Sequence, residues 1–99
     1  MKKYKQEVDK FGNTVWYCDG KFHREDGPAI LYFDGSEEWY IDGLLHRVDG
    51  PAVTFASGEQ YWYVRDRMYQ DITKFCDAAK ITDAARTMFV LRYSGQFRK

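Results

Sequence analysis

Residues 16–30 read WYCDGKFHREDGPAI, and residues 39–53 read WYIDGLLHRVDGPAV. The two stretches are offset by 23 positions, and a third Trp-Tyr pair lies 23 positions further on, at residues 62–63. Glycines at positions 12, 35 and 58 keep the same spacing. Self-similarity at a fixed period is typical of an array of one supersecondary unit. The period predicts units at about 11–33, 34–56 and 57–70, of which the third is a decaying copy.

The repeated unit predicts β-structure, because short apolar and aromatic runs alternate with turn dipeptides. Asp19-Gly20, Asp34-Gly35 and Asp42-Gly43 are of the type that closes a two-residue hairpin, in which both central residues have positive φ. We expect strands at about 4–9, 14–18, 21–24, 29–33, 37–41, 44–47, 52–56 and 59–64. Since every connection is short, chain neighbours should pair antiparallel, in a meander roughly 35–40 Å across at ~4.8 Å per strand.

Alternation along the strands predicts two aromatic rows on opposite faces of the sheet. We name them the Trp face and the Tyr face after the residues that define them: Trp16, Trp39 and Trp62 against Tyr17, Tyr40 and Tyr63. The assumed hairpin registers add four further residues to the Trp face: Ile30, Tyr32, Val53 and Phe55. A sheet that is aromatic on both sides should have at least one side covered.

The periodicity changes after Val64, where a helical pattern begins. Positions 72, 75, 76 and 79 are apolar and share one helical face, and Asp71 is a candidate N-cap. A second helix is expected over about 83–93, with Thr82 as its cap and Gly95 as its stop. The predicted fold class is therefore mostly β with C-terminal α. An antiparallel β-meander over 1–70 ends in one or two helices within 71–99, in a single compact domain.

Composition limits the classes of function. The 99 residues carry 15 basic and 15 acidic side chains, and this neutral balance disfavours a nucleic-acid binder or a protein held on anionic lipid by charge alone. No apolar run is long enough to span a bilayer, and the polar N-terminus predicts a cytoplasmic protein. Cys18 and Cys76 match no metal or redox spacing and are expected to be buried free thiols. We expect no cofactor and no metal.

The unit Trp-Tyr-x-x-Gly-Lys-x-His resembles the MORN repeat over residues 11 to about 64. The segment GKFHREDGPA at 20–29 is similar to a MORN-like variant found in small accessory proteins of tailed bacteriophages. MORN units usually carry Gly after the His, whereas this chain has Arg24 and Arg47 there. The resemblance implies hairpins stacked into one elongated sheet, with roles in scaffolding, protein contact and sometimes lipid contact. Several such proteins are bacterial antitoxins or phage accessory factors.

The copied His-Arg-x-Asp cluster is the strongest candidate in the sequence for catalysis or anion binding. It comprises His23, Arg24 and Asp26 in one unit and His46, Arg47 and Asp49 in the next. Because the cluster is copied with the unit, we expect it to build the loop, with Asp capping its own turn and Arg pairing with the neighbouring copy's carboxylate. Contact with an anionic ligand and acid–base catalysis are the alternatives.

Two other sets of side chains are candidates for binding. The tyrosines of the Tyr face could form helix-covered core, an oligomer or partner interface, or a platform for a nucleotide base. Where the repeat decays, four residues have no copy elsewhere in the chain and suit a site specific to this protein: Arg65, Arg67, Tyr69 and Gln70.

These features favour a non-enzymatic binding protein, a phage accessory or counter-defence factor that blocks a host target stoichiometrically in the host cell cytoplasm. One alternative is a protein that sequesters a nucleotide immune signal. Another is a small phosphodiesterase that depends on His23 or His46. The expected partner is a host protein or a small nucleotide, with no nucleic acid and no membrane span. A homodimer could form through an open sheet edge or an aromatic face.

Overall fold

The computed structural model describes residues 1–97 and shows a mostly antiparallel β protein with C-terminal helices, measuring 41 × 35 × 19 Å. Within these residues the strands are β1 (Tyr4–Val8), β2 (Thr14–Cys18), β3 (Lys21–Phe22), β4 (Ile30–Leu31), β5 (Glu37–Glu38), β6 (Tyr40–Ile41), β7 (Leu44–Leu45), β8 (Val53–Thr54), β9 (Gln60–Val64) and β10 (Arg67–Tyr69). The helices are α1 (Ile72–Ala78) and α2 (Asp83–Tyr93). The last two residues of the predicted helical segment 71–99 lie outside the described residues.

The strands follow one another as an antiparallel meander in the order β1-β2-β4-β5-β8-β9-β10, with β3 beside β2 and β6 paired to β7. The predicted strand at 37–41 is divided into β5 and β6. At the division, the Trp39 N–H donates to the Ala52 carbonyl at 2.7 Å and the Trp39 carbonyl accepts from the His46 N–H at 3.0 Å. The backbone of Trp39 thus bonds to the residues on either side of the loop 47–51, and this loop separates the partners of β5 and β6.

Two kinds of turn alternate along the sheet. Asp19-Gly20, Asp42-Gly43 and Arg65-Asp66 have positive φ at both positions, as type I′ hairpins require. The same geometry was wrongly predicted at Asp34-Gly35, where only Gly35 is left-handed, at φ 92, and its N–H donates back to the Tyr32 carbonyl. Because Arg65-Asp66 keeps the type I′ turn without glycine, the sheet continues into β10, a strand that the sequence did not predict.

The wider turn at Gly35 changes which residues share a face. A two-residue hairpin would set Ile30 opposite Trp39, whereas the observed register pairs Ile30 with Glu38. A slip of one residue turns a whole strand over. The turn at Gly58, with φ 96, has the same geometry and pairs Val53 with Tyr61 instead of Trp62. The assignment of four residues to the Trp face was therefore wrong, and they lie on the Tyr face: Ile30, Tyr32, Val53 and Phe55. Accordingly, the hydroxyls of Tyr32 and Tyr40 both donate to Glu38 Oε1.

Both predicted helix caps are confirmed. Asp71 Oδ1 accepts the N–H groups of Thr73 and Lys74 at 2.8 and 3.1 Å, and Thr82 Oγ1 accepts from Ala85 N at 3.3 Å. α2 ends at Tyr93, as the sequence predicted, but Gly95 is not a left-handed cap and lies within a 3-10 turn at Ser94–Gln96. None of the helices within residues 1–97 is long and apolar enough to cross a bilayer.

The helices meet the sheet on the Trp face, at the third tryptophan. Trp62 is 2% exposed and contacts Phe75 edge-on at 5.0 Å and Phe97 in a stack at 4.3 Å between ring centroids. Val64 and Phe75 complete the buried cluster. Cys18 and Cys76 are buried free thiols, as predicted, and burial raises the pKa of the Cys76 thiol.

The end of α1 offers a test of backbone strain. The Ile81 N–H donates to the Cys76 carbonyl at 3.0 Å, which makes a Schellman end with Lys80 left-handed at φ 58, where glycine is usual. Lys80→Gly should raise the free energy of unfolding by about 0.5 kcal/mol, because relief of the strain exceeds the entropy that glycine adds to the unfolded chain. Lys80→Ala keeps the Cβ and should change it little. Urea unfolding followed by circular dichroism measures both.

Candidate functional site

Each copied histidine binds the turn of the next unit. His23 Nδ1 accepts the Asp42 N–H at 3.0 Å, and His46 Nδ1 accepts the Arg65 N–H at the same distance. A neutral imidazole that accepts at Nδ1 carries its proton on Nε2. The two histidines therefore join one unit to the next, which agrees with the structural interpretation of the motif.

Each copied arginine covers the tryptophan of its own unit. The Arg24 guanidinium carbon lies 4.0 Å from the Trp16 ring centroid, and that of Arg47 lies 3.8 Å from Trp39. Arg24 Nε donates to Asp26 Oδ1 at 2.9 Å, and the second copy repeats this bond at 2.8 Å. The predicted pairing of Arg with the neighbouring copy's carboxylate was thus wrong, because the loop folds back over its own unit.

The glycine of the copied Asp-Gly-Pro-Ala segment makes room for this arginine. A Cβ on Gly27 would stand 2.7 Å from Arg24 Cζ, and one on Gly50 would stand 2.6 Å from Arg47 Cζ. Neither glycine has a positive φ. Close approach of the guanidinium, rather than backbone conformation, therefore explains why glycine follows the aspartate.

The tyrosines of the Tyr face stand in a row of half-buried rings. Phe22 links Tyr17 and Tyr40, with centroid distances of 5.5 and 5.2 Å, and Tyr63 is also half-buried. Burial and the adjacent Glu38 carboxylate raise the pKa of Tyr32 to about 12 and also raise that of Tyr40. The two hydroxyls remain protonated near neutral pH, and their bonds to Glu38 fix both rings.

Three of the four residues unique to the third unit line a cleft of about 480 Å³ on the Trp face, beside α1. We call it the boundary cleft, and the lining residues that bear on its chemistry are His46, Val48, Arg65, Arg67, Tyr69 and Lys80. The structure thus brings together four of the predicted site residues and separates them from the Tyr row. Gln70 lines a different cleft. Sequence reasoning missed Lys80, whose position after α1 gave no signal.

The boundary cleft contains His46, whose pKa can be measured. Burial, and then the positive charge of Arg65, lower the pKa of His46 below its ordinary value of 6.5. Since the folded state binds the proton more weakly than the unfolded state, this contribution to stability is present above pH ~6.5 and is lost as the pH falls below it. An NMR titration of His46, with urea unfolding on both sides of that pH, measures the two effects. Arg65→Gln should raise the His46 pKa, and an unchanged value would contradict the contribution assigned to the charge of Arg65.

Within residues 1–97, no three His, Cys, Asp or Glu side chains are grouped so that they could hold a metal ion. No protein-family model matches the chain, and the searches of curated proteins and of solved structures found no significant similarity to it.

Proposed function

We propose that this chain is a MORN-like, non-enzymatic binding protein that engages a partner protein with its Tyr face. The observation that carries the proposal is the placement of the helices, which contact the sheet from the Trp face at Trp62. The opposite face keeps its aromatic rings half-buried, and two of its residues, Phe55 and Met68, are 43% and 42% exposed.

The chemistry of the Tyr face suits a protein surface. Tyrosine supplies large contact area with few rotatable bonds and one polar tip, and it is enriched at protein interfaces. Here the rings are already ordered, because Glu38 accepts two tyrosine hydroxyls at 3.0 and 3.1 Å. A partner would bind without ordering these side chains, which favours affinity.

The contacts of the His-Arg-x-Asp cluster support a non-enzymatic role. Both histidines use Nδ1 to accept a backbone N–H, and both arginines are engaged by tryptophan and by the Asp of their own loop. A group held in this way in each copy is suited to fold the unit. This supports the binding interpretation over a His-dependent phosphodiesterase.

The broader role that we propose is a phage accessory or counter-defence factor that blocks a host protein stoichiometrically in the host cytoplasm. It is supported by the resemblance of residues 11–64 to the MORN-like variant and by the neutral charge, which suits a shape-specific partner.

A pair of matched variants tests the Tyr face. Phe55→Arg with Met68→Arg places two charges on the Tyr face, whereas Met88→Arg with Leu91→Arg places two on the exposed side of α2, at residues 70% and 72% exposed. Tagged proteins recovered from a bacterial host, with complex masses from light scattering, give the readout. We expect a fixed-ratio complex that the first variant loses and the second retains.

Two outcomes would overturn this proposal. One is recovery of the same complex with the Phe55→Arg, Met68→Arg variant, provided that circular dichroism shows native folding. The other is a doubled mass of the pure protein that this variant abolishes, because the Tyr face would then join two copies of the chain.

A further inference from the structure

The two copied histidines have opposite electrostatic surroundings. His23 Nε2 lies 3.1 Å from Glu25 Oε2, and its Nδ1 lies 3.4 Å from Asp42 Oδ1. One unit later, Val48 stands at the position of Glu25 and Arg65 at the position of Asp42. The same backbone contact is kept, while both acidic neighbours of the imidazole are replaced, one by an apolar and one by a basic side chain.

The boundary cleft is lined by basic side chains, which donate hydrogen bonds, and, in the part of the chain that the structure describes, by no carboxylates that could accept them. Arg65, Arg67 and Lys80 line it together with His46, and none of the aspartates or glutamates within residues 1–97 does. The acidic groups nearby have partners of their own, since Asp66 accepts the Leu45 N–H at 3.1 Å and Asp77 pairs with Arg86 at 2.9 Å. The net charge of the chain is zero, so this concentration of positive charge is local.

Two of these cations stand at strained backbone positions. Arg65 has φ 49 and Lys80 has φ 58, a region that residues other than glycine, asparagine and aspartate rarely occupy. The earlier copies place aspartate at the position of Arg65, and glycine is usual at the position of Lys80. Strained residues persist where the surrounding structure holds them and are concentrated at functional sites. Both strained cations line the same cleft.

We propose that the boundary cleft binds a soluble small molecule bearing a phosphate group. Arginine pairs with phosphate oxygens through two parallel N–H donors, and the neutral imidazole adds an Nε2–H donor. A volume of about 480 Å³ is that of a site for a small molecule. Val48 and Tyr69 supply an apolar wall for the remainder of the molecule. The cleft lies on the Trp face, so this proposal does not depend on the partner proposed for the Tyr face.

Inorganic pyrophosphate is the probe, titrated into the full-length protein and followed by calorimetry and by the NMR signals of His46 and Arg65. We expect one saturable site. Arg65→Asp restores the residue of the earlier copies and should weaken binding by about tenfold or more, the loss expected for one charge-assisted contact. Adding Val48→Glu rebuilds the surroundings of His23 and should abolish binding. Because both residues occur at the equivalent positions of the same fold, these variants should fold.

The control is Lys74→Asp, which makes the same change of charge on the exposed surface of α1, outside the cleft. It should leave the affinity within about twofold. Equal weakening by Lys74→Asp and Arg65→Asp would overturn the proposal, since binding would then follow overall charge. Pyrophosphate that moves no signal from the cleft would do the same.

A lipid headgroup carries the same phosphate chemistry, and sedimentation with phosphatidylcholine vesicles containing phosphatidic acid separates the two sources. Pyrophosphate binding without co-sedimentation supports a soluble ligand. Co-sedimentation that Arg65→Asp abolishes would overturn the soluble ligand in favour of the headgroup.

Discussion

Replacing Trp62 with alanine should lower the free energy of unfolding by about 3–5 kcal/mol, the largest effect expected from a single substitution in this chain. The indole is 2% exposed and contacts four rings, those of Phe75, Phe89, Tyr93 and Phe97. Its removal leaves a cavity among large rigid groups and separates the helices from the sheet. Such a loss is a large fraction of the ~5–15 kcal/mol by which domains are stable, and urea unfolding monitored by circular dichroism measures it.

Two further variants sharpen this expectation. Trp62→Phe should cost less than half as much, because the ring contacts largely remain and the indole Nε1, which is buried without a hydrogen-bond partner, is removed. Met88→Ala, at a residue 70% exposed, should stay within about 0.5 kcal/mol. If Trp62→Ala were as mild as Met88→Ala, the helices would not depend on this contact.

Gly50→Ala should lower the free energy of unfolding by about 2 kcal/mol, although the backbone there suits any residue. The new methyl group would lie 2.6 Å from Arg47 Cζ and would displace the guanidinium. Arg47 would leave the Trp39 ring and lose its bonds to Asp49 and to the Pro51 carbonyl.

A double-mutant cycle isolates this mechanism. In an Arg47→Ala background, Gly50→Ala should cost less than about 0.5 kcal/mol, so the two changes should be strongly non-additive. Gly95→Ala is the matched control, since a Cβ there meets no atom within 4 Å and φ is not positive. Additive effects of Gly50→Ala and Arg47→Ala would show that the glycine serves another purpose.

The sequence predicted what depends on local pattern. The period located the type I′ hairpins at Asp19-Gly20 and Asp42-Gly43, and the caps at Asp71 and Thr82 form as predicted. The type of the turn at Gly35 was not predicted, because an Asp-Gly pair suits both a two-residue hairpin and a wider turn in which only glycine is left-handed. The turn at Gly35 moved Ile30 and Tyr32 to the opposite face, and the equivalent turn at Gly58 moved Val53 and Phe55.

The candidate sites were predictable only as lists of residues. Their chemistry depends on contacts over distances along the chain that no local pattern encodes, such as the lysine after α1 that reaches the cleft of the third unit. The side chains that cover the three tryptophans could likewise not be predicted from the sequence. Arg24 and Arg47 cover Trp16 and Trp39, whereas Phe97, 35 positions after its tryptophan, takes this place on Trp62.

The pattern of contacts between units also bears on how such a chain can grow. Each arginine serves its own unit and each histidine serves the next, so every internal unit offers the same connection to its neighbours. A duplicated segment 34–56 inserted after Ala56 would satisfy the unit on each side and leave the helical end intact. Since one unit adds two strands to the main sheet, the slab would lengthen by roughly 10 Å per duplication. The length of the sheet is therefore free to vary by gene duplication, independently of its C-terminal end.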